Sequence, residues 1–270
     1  MTKLTLEEYQ ACYQEERYTN VEIEFKIGTP VITSYPWVSL AGLLQAFLFR
    51  LEFGLDFYNY NRRTNNTFDF LSQQAKLHIP IAKVEELYLT SAVQFLGQDD
   101  TLLSMTQAKQ IKFSKRFEER YAHSLQPRGQ FVQINRGSLK SYQIPLTYLT
   151  PSKVRARCWA KQQSLETLLR FVVGLGKKVA YGYGRILSFS IRPNPSMGTL
   201  WEPSTKTAQA VLPGFCFDEL TELKPLSWQV PAWDKRNVGL AVPVGSRCVP
   251  TPSWFNNFLP TSRVVNQEFS

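Results

Sequence analysis

The chain has 270 residues, enough to bury a sizeable core in one large domain or two modest ones. Hydrophobic residues make up 43% and charged residues 20%, the balance of an ordinary folded soluble protein, and no run reaches the ~18 apolar residues of a membrane span. Lys and Arg number 31 against 22 Asp and Glu, so the net charge is +9 and the pI about 9.4, which points to an anionic partner.

The first residues, Met1 to Glu8, carry no apolar core of a signal peptide, so a cytoplasmic protein is expected. The four cysteines, Cys12, Cys158, Cys216 and Cys248, lie far apart with no C-x-x-C spacing. Reduced thiols are expected, with neither a zinc site nor any cofactor.

In chain order, residues 1–20 read as a polar lead-in with a short helix over Thr5–Tyr18. Val21–Ile27 alternates apolar with Glu22, Glu24 and Lys26, the pattern of a half-buried strand, and Gly28-Thr29-Pro30 breaks it. Ser39 is placed to cap a helix over Leu40–Phe53, whose Leu43, Leu44, Phe47, Leu48 and Leu51 share one face. Asp56–Gln74 has no stable period and reads as an inserted loop. His78–Ile81 and Leu87–Phe95 are two short strand candidates.

Lys109–Arg120 is rich in Lys and Arg. As a helix it would set Lys109, Lys112 and Arg116 on one face, either as a solvated surface or as a patch that tracks phosphates. A strand-and-turn region opens at Arg128-Gly129-Gln130 and ends near Pro151. Val154–Trp159 alternates again, with Arg155 and Arg157 on the face opposite Val154, Ala156 and Cys158. Ser164 is placed to cap a helix over Leu165–Val173. A glycine-rich loop, Gly174–Gly184, leads into a strand over Arg185–Arg192.

The order β-α-β…β-α-β predicts an α+β fold with a ferredoxin-like domain over residues 1–192, carrying an insertion at about 56–130. Beyond Pro193 the chain is rich in proline and holds Trp201, Trp228, Trp233 and Trp254. An irregular C-terminal extension over 193–270 is expected, packed on the domain or on a partner because four tryptophans are too much apolar area to leave in water.

The loop Gly-Leu-Gly-Lys-Lys-Val-Ala-Tyr-Gly-Tyr-Gly is followed at once by Arg185. It fits neither a P-loop, since no Ser or Thr follows Lys177-Lys178, nor a dinucleotide fingerprint, since the helix precedes it and the strand follows. A tight connector in which glycines are merely permitted needs fewer glycines and no cations, which favours contact with a phosphate chain. Catalytic candidates are few. His78 precedes Ile-Pro-Ile and reads as structural, while His123 is either a general base for RNA cleavage or a surface histidine near phosphates. The carboxylate pairs Asp99-Asp100 and Glu118-Glu119 lack the neighbours of a metal site.

The glycine loop between a helix and a last strand resembles the C-terminal signature of the CRISPR-associated RAMP superfamily, built on ferredoxin-like, RRM-type domains. A closer resemblance runs from Gly129 to Ile191, through Lys140-Ser141-Tyr142-Gln143-Ile144-Pro145 and Gly176-Lys177-Lys178-x-x-x-Gly182-Tyr183-Gly184-Arg185-Ile186. It is similar to the subunit that binds the 5′ handle of the guide RNA and caps the backbone in type IV CRISPR effector complexes.

That resemblance implies a non-catalytic crRNA-binding subunit with Gly176, Lys177, Lys178, Gly182, Tyr183, Gly184 and Arg185 at the RNA, and Tyr181 or Tyr183 stacking on a base. Backbone N–H groups of the loop are expected to join the cations in holding phosphates. Lys112, Arg116, Lys140, Arg155 and Arg157 are further candidate RNA contacts. The implied partners are the crRNA 5′ handle and the backbone and large subunits of the complex, with target DNA left open and no membrane contact. A metal-independent crRNA-processing endoribonuclease of the same superfamily is the alternative.

Overall fold

The alternation at Val21–Ile27 is the visible part of a longer strand that lies inside a five-stranded sheet. In the computed structural model the described residues are 9, 13, 16–53, 78–84, 87–115, 142–194, 199–228 and 237–252. The chain enters as β1 (Tyr18–Ile27), turns through β2 (Val31–Ile32) and β3 (Trp37–Ser39) into α1 (Leu40–Phe53). It resumes as β4 (Lys83–Val84), β5 (Leu87–Tyr88), β6 (Ala92–Leu96) and β7 (Lys109–Lys115). Then come β8 (Tyr142–Leu149), β9 (Lys153–Lys161), α2 (Gln162–Leu169) and β10 (Ile186–Pro193). The last part holds β11 (Trp201–Glu202), β12 (Thr207–Ala208), β13 (Leu212–Pro213), β14 (Phe217–Leu220), β15 (Lys224–Ser227), β16 (Val238–Val242) and β17 (Cys248–Pro250).

The large sheet runs β10-β1-β9-β6-β3 with every neighbouring pair antiparallel. Its two faces follow from the period of two along each strand. Val21, Ile23 and Phe25 of β1 and Val154, Ala156 and Cys158 of β9 point into the core with Leu40, Leu44 and Leu48 of α1 and Leu165 and Leu168 of α2. Glu22, Glu24, Arg155, Arg157 and Arg192 occupy the other face, in register across the strands.

The two helices start for different reasons. Ser39 Oγ accepts the Gly42 N–H at 3.1 Å, the side-chain cap expected for α1. α2 begins three residues before the expected start, and Ser164 is not its cap. Glu16, far away in sequence, accepts the Gln163 and Ser164 N–H groups at 2.5 and 3.0 Å and the Ser164 hydroxyl at 3.1 Å. A carboxylate brought in by tertiary folding satisfies the exposed amides and complements the helix dipole. Burial holds nearby Lys161 below the ordinary lysine range, and Glu16 works against that shift. Its ammonium donates to the Tyr13 carbonyl at 2.7 Å and sits over the Tyr13 ring.

The expected α+β, ferredoxin-like class is overturned. Among the described residues the fold is mainly antiparallel β, with seventeen strands in six sheets and two α-helices. Two segments account for the difference. Lys109–Lys115, read as a possible helix, is strand β7, paired along its length with β8. The tail beyond Pro193, expected to be irregular, forms β11–β17. Its prolines mislead because they sit where a strand needs no amide donor: Pro213 and Pro250 end their strands, and Pro225 lies in edge strand β15. The candidate strand Leu87–Phe95 is likewise two strands, β5 and β6, broken at Leu89–Ser91.

This C-terminal region builds a second apolar cluster from Leu200, Trp201, Leu212, Phe217 and Val242, packed with Trp159 and Leu89. Trp201 Nε1 donates to the Cys248 carbonyl at 3.0 Å. Cys158, Cys216 and Cys248 are buried, and burial pushes the Cys248 thiol up to about 11, which favours its protonated form at neutral pH. The insertion at Asp56–Gln74, most of the Thr5–Tyr18 helix, the opening Arg128-Gly129-Gln130, Trp233 and Trp254 lie outside the described residues; Tyr18 itself begins β1.

Candidate nucleic-acid interface

The glycine loop is clamped to the turn between β1 and β2. At its base Leu175 N–H donates to Gly184 O at 2.8 Å and Ile186 N–H to Val173 O at 3.1 Å. Along its flank Lys177 N–H donates to Ile32 O at 2.7 Å and Gly184 N–H to Pro30 O at 2.8 Å. Thr29 closes the contact: its hydroxyl donates to Gly182 O at 2.8 Å and accepts from Arg185 N–H at 2.9 Å. The sequence marks Thr29 as part of a strand break and of the family resemblance, with no side-chain role. Its side-chain role depends on a loop some 150 residues away.

This close approach explains the glycines. A Cβ at Gly184 would fall 1.9 Å from Leu175 O, and one at Gly176 would fall 2.5 Å from Ile32 O. Gly176 and Gly184 therefore admit the protein's own backbone. The expectation that loop amides hold phosphates is corrected for Lys177, Gly182, Gly184 and Arg185, whose N–H groups bond within the chain. A 3-10 turn, Val179–Tyr181, forms the tip, and there Tyr181 N–H donates to Lys178 O.

What the loop displays is side chains. Gly176, Lys177, Tyr181, Gly182 and Arg185 are exposed, Lys178 and Tyr183 half-buried, and Gly184 buried. Lys177 Nζ donates to Ser34 Oγ at 2.7 Å, and Lys178 Nζ lies 5.5 Å from the Tyr181 ring centroid. Lys178 has φ +61°, a left-handed conformation that disfavours any residue with a Cβ. The loop uses glycine at its other left-handed positions, 176, 182 and 184, yet keeps a lysine here. Such retained strain clusters at functional sites.

The basic segment is split by its strand geometry. In β7, Lys109 and Lys112 point to opposite faces, where a helix would have set them together. Register carries Lys109 to the loop: Lys109 lies opposite Tyr148, Tyr148 opposite Ile32, and Ile32 opposite Lys177. Cross-strand partners share a face, so Lys109 and Lys177 look the same way across about three strand spacings, or about 15 Å. Lys112 is exposed on the other side. Arg116, Lys140 and His123 lie outside the described residues.

Arg155 and Arg157 are held in an ion network on the sheet face. Arg157 Nε donates to Glu22 at 3.0 Å, and its Nη1 reaches Glu202 at 3.0 Å. Arg192 donates to Glu22 and Glu24, both at 2.9 Å, and Arg155 lies 3.8 Å from Glu22 and from Asp100. These two arginines are neutralised by the protein itself and lie apart from the loop cations. Burial raises the Glu22 carboxyl, but the hydrogen bonds from Arg157 and Arg192 and the charges of Arg155 and Arg157 outweigh it and hold it below the usual carboxylate range.

Replacing Glu22 with Gln leaves the arginines around it under-compensated, and about 3 kcal/mol of stability is expected to be lost at pH 7. The folded carboxyl titrates below the unfolded one. Its contribution is thus present above the ordinary carboxylate range and disappears as pH falls through the depressed folded value. Urea unfolding from pH 7 down to 3 checks both points. The variant should show a flatter acid limb, and an unchanged midpoint at pH 7 would refute the role given to Glu22.

The description "CRISPR type IV associated protein Csf3" matches residues 61–242, more than half of the chain. The chain belongs to the Csf3 family of type IV CRISPR-associated proteins. The match begins after α1 and takes in β4–β10, the glycine loop and most of the C-terminal strands; the N-terminal strand and Thr29-Pro30 lie outside it. The resemblance to a type IV CRISPR-associated protein, read from Gly129 to Ile191, is therefore borne out at the level of the family. No curated protein matches the chain. Among the described residues no helix is long and apolar enough to cross a membrane.

Proposed function

We propose that this chain is a non-catalytic crRNA-binding subunit of a type IV CRISPR ribonucleoprotein. It grips the 5′ handle of the guide RNA and caps the backbone filament, beside the backbone and large subunits in the cytoplasm. The observation that carries this reading is the display of Lys177, Lys178, Tyr181 and Arg185 on a loop in which the Lys177, Tyr181, Gly182, Gly184 and Arg185 amides bond within the chain. Cations fixed on a stiff platform hold phosphates with little loss of conformational freedom on binding. Tyr181, 59% exposed, offers a face to an unpaired base. Family membership supports the setting, and the handle as ligand is our reading of the loop.

Purified full-length protein is expected to bind guide RNA carrying the 5′ handle more tightly than the same RNA without it. It should leave repeat RNA intact in EDTA. Equal affinity for both RNAs would remove the handle from the proposal. Cleavage at one site, lost in His123→Ala, would make the chain an endoribonuclease instead.

A further inference from the structure

Beside the loop, the chain leads from an exposed cation straight to an aromatic cleft. Ser34, which accepts from Lys177 Nζ, is followed by Tyr35, whose ring stacks on Trp37 with centroids 5.0 Å apart and planes at 24°. Both rings line a cleft of about 330 Å³ between two sheet edges, β3 of the large sheet and β15 of the C-terminal sheet. Tyr88 and Trp228 also line it. Phe215, 79% exposed, meets Trp228 edge-on at 6.2 Å and extends the aromatic surface outward. Trp37 lies opposite Gln94, and Gln94 opposite Arg155, so the cleft opens on the polar face of the sheet.

Resting on the RNA-binding reading above, we infer that this cleft takes one unstacked nucleobase of the bound RNA, from a nucleotide next to the phosphate held at Lys177. Three features favour a base over a protein side chain. The volume sits at the small-ligand end of the range for pockets, about 300–1000 Å³. Stacked aromatic walls match the flat face that every base presents, and this face is read with little regard to sequence. Two cations flank the cleft, as the phosphates of the same strand require: Lys177 donates to Ser34, next to Tyr35, and Lys83 Nζ lies 5.7 Å from the Tyr88 ring centroid. The Thr90 hydroxyl on the cleft wall already donates to the Ser91 and Arg157 carbonyls, so stacking sets the affinity more than edge recognition does. Tyr35 is 44% exposed and, among the described residues, is held through its backbone by hydrogen bonds with Thr33, so its ring can be removed without opening the core.

The test uses the full chain and a ten-nucleotide single-stranded RNA, intact or with one abasic site moved along it. Wild-type protein should lose about fivefold or more in affinity at one abasic position, the lower end of what a stacked base contributes. Tyr35→Ala should bind intact RNA weaker by the same factor, lose nothing further at that position, and keep the wild-type salt slope. Tyr35→Phe, which retains the ring, should behave as wild type. If Tyr35→Ala binds as wild type while Lys177→Ala with Lys178→Ala does not, the cleft inference falls and the loop reading stands. If wild-type protein shows no salt-dependent RNA binding, both fall together. A Tyr35→Ala protein that binds RNA normally but no longer associates with the other subunits would assign the cleft to a protein partner and overturn the inference.

Discussion

Lys177→Ala combined with Lys178→Ala is expected to weaken binding to guide RNA about tenfold at physiological salt and to flatten the salt dependence by about 1.4 in log–log slope. Two lysines that each neutralise one phosphate of a single strand release two counterions, each contributing about 0.7 to the slope. The loss should be similar for guides of different sequence, because phosphate contacts position a strand without reading it. Titrations at several salt concentrations measure both quantities, and an unchanged slope would take the loop out of the interface. Lys178→Gly separates charge from backbone. Glycine accepts φ +61° without penalty, so this variant should be more stable than wild type by about 1 kcal/mol while binding RNA as weakly as Lys178→Ala. If Lys178→Gly binds RNA as wild type does, the lysine is not a contact.

Gly184→Ala is expected to produce the largest loss of stability of any loop substitution, about 3 kcal/mol or more. The added methyl would overlap the Leu175 carbonyl, and the residue is left-handed as well, at φ +62°. Relief would require breaking the Gly184 bonds to Pro30 and Leu175, which hold the loop on the β1–β2 turn. Gly182→Ala is the control. It shares the left-handed backbone, at φ +87°, but its Cβ would meet nothing within 4 Å, so about 1 kcal/mol is expected. Urea midpoints of the two variants decide the matter: similar losses would mean that backbone angle alone, and not close packing against Leu175, requires the glycines. The open space at Gly182 also leaves room for an incoming strand, so Gly182→Ala tests whether RNA approaches there without unfolding the loop.

Several elements were legible from local pattern. β1, α1 with its Ser39 cap, and the inward and outward faces of β9 follow from periods of two and 3.6 and from a single capping residue. The site was legible in part. The glycine loop and its two lysines stand out in sequence, and they carry the family resemblance. Other parts were misread because their determinants are distant. Lys109–Lys115 has a spacing that suits helix or strand, and pairing with β8 decides it. Arg155 and Arg157 look like free cations until Glu22 and Glu202 are brought against them. Tyr35 and Trp37 gain meaning only when β15 forms the facing edge of the cleft.

The sequence by itself determined that this is a basic, folded chain with a cationic glycine loop between a helix and a strand. Short-range rules suffice for that, because alternation, capping and motif spacing act within a few residues; the type IV CRISPR family entered as a resemblance of motifs that the family match bears out. Only the tertiary structure decided that the fold is mainly antiparallel β, that Gly176 and Gly184 serve the protein's own backbone, and which cations face outward. Each of those outcomes rests on contacts between residues far apart in the chain, such as Glu16 with Ser164 and Thr29 with Arg185, whose partners no local pattern names.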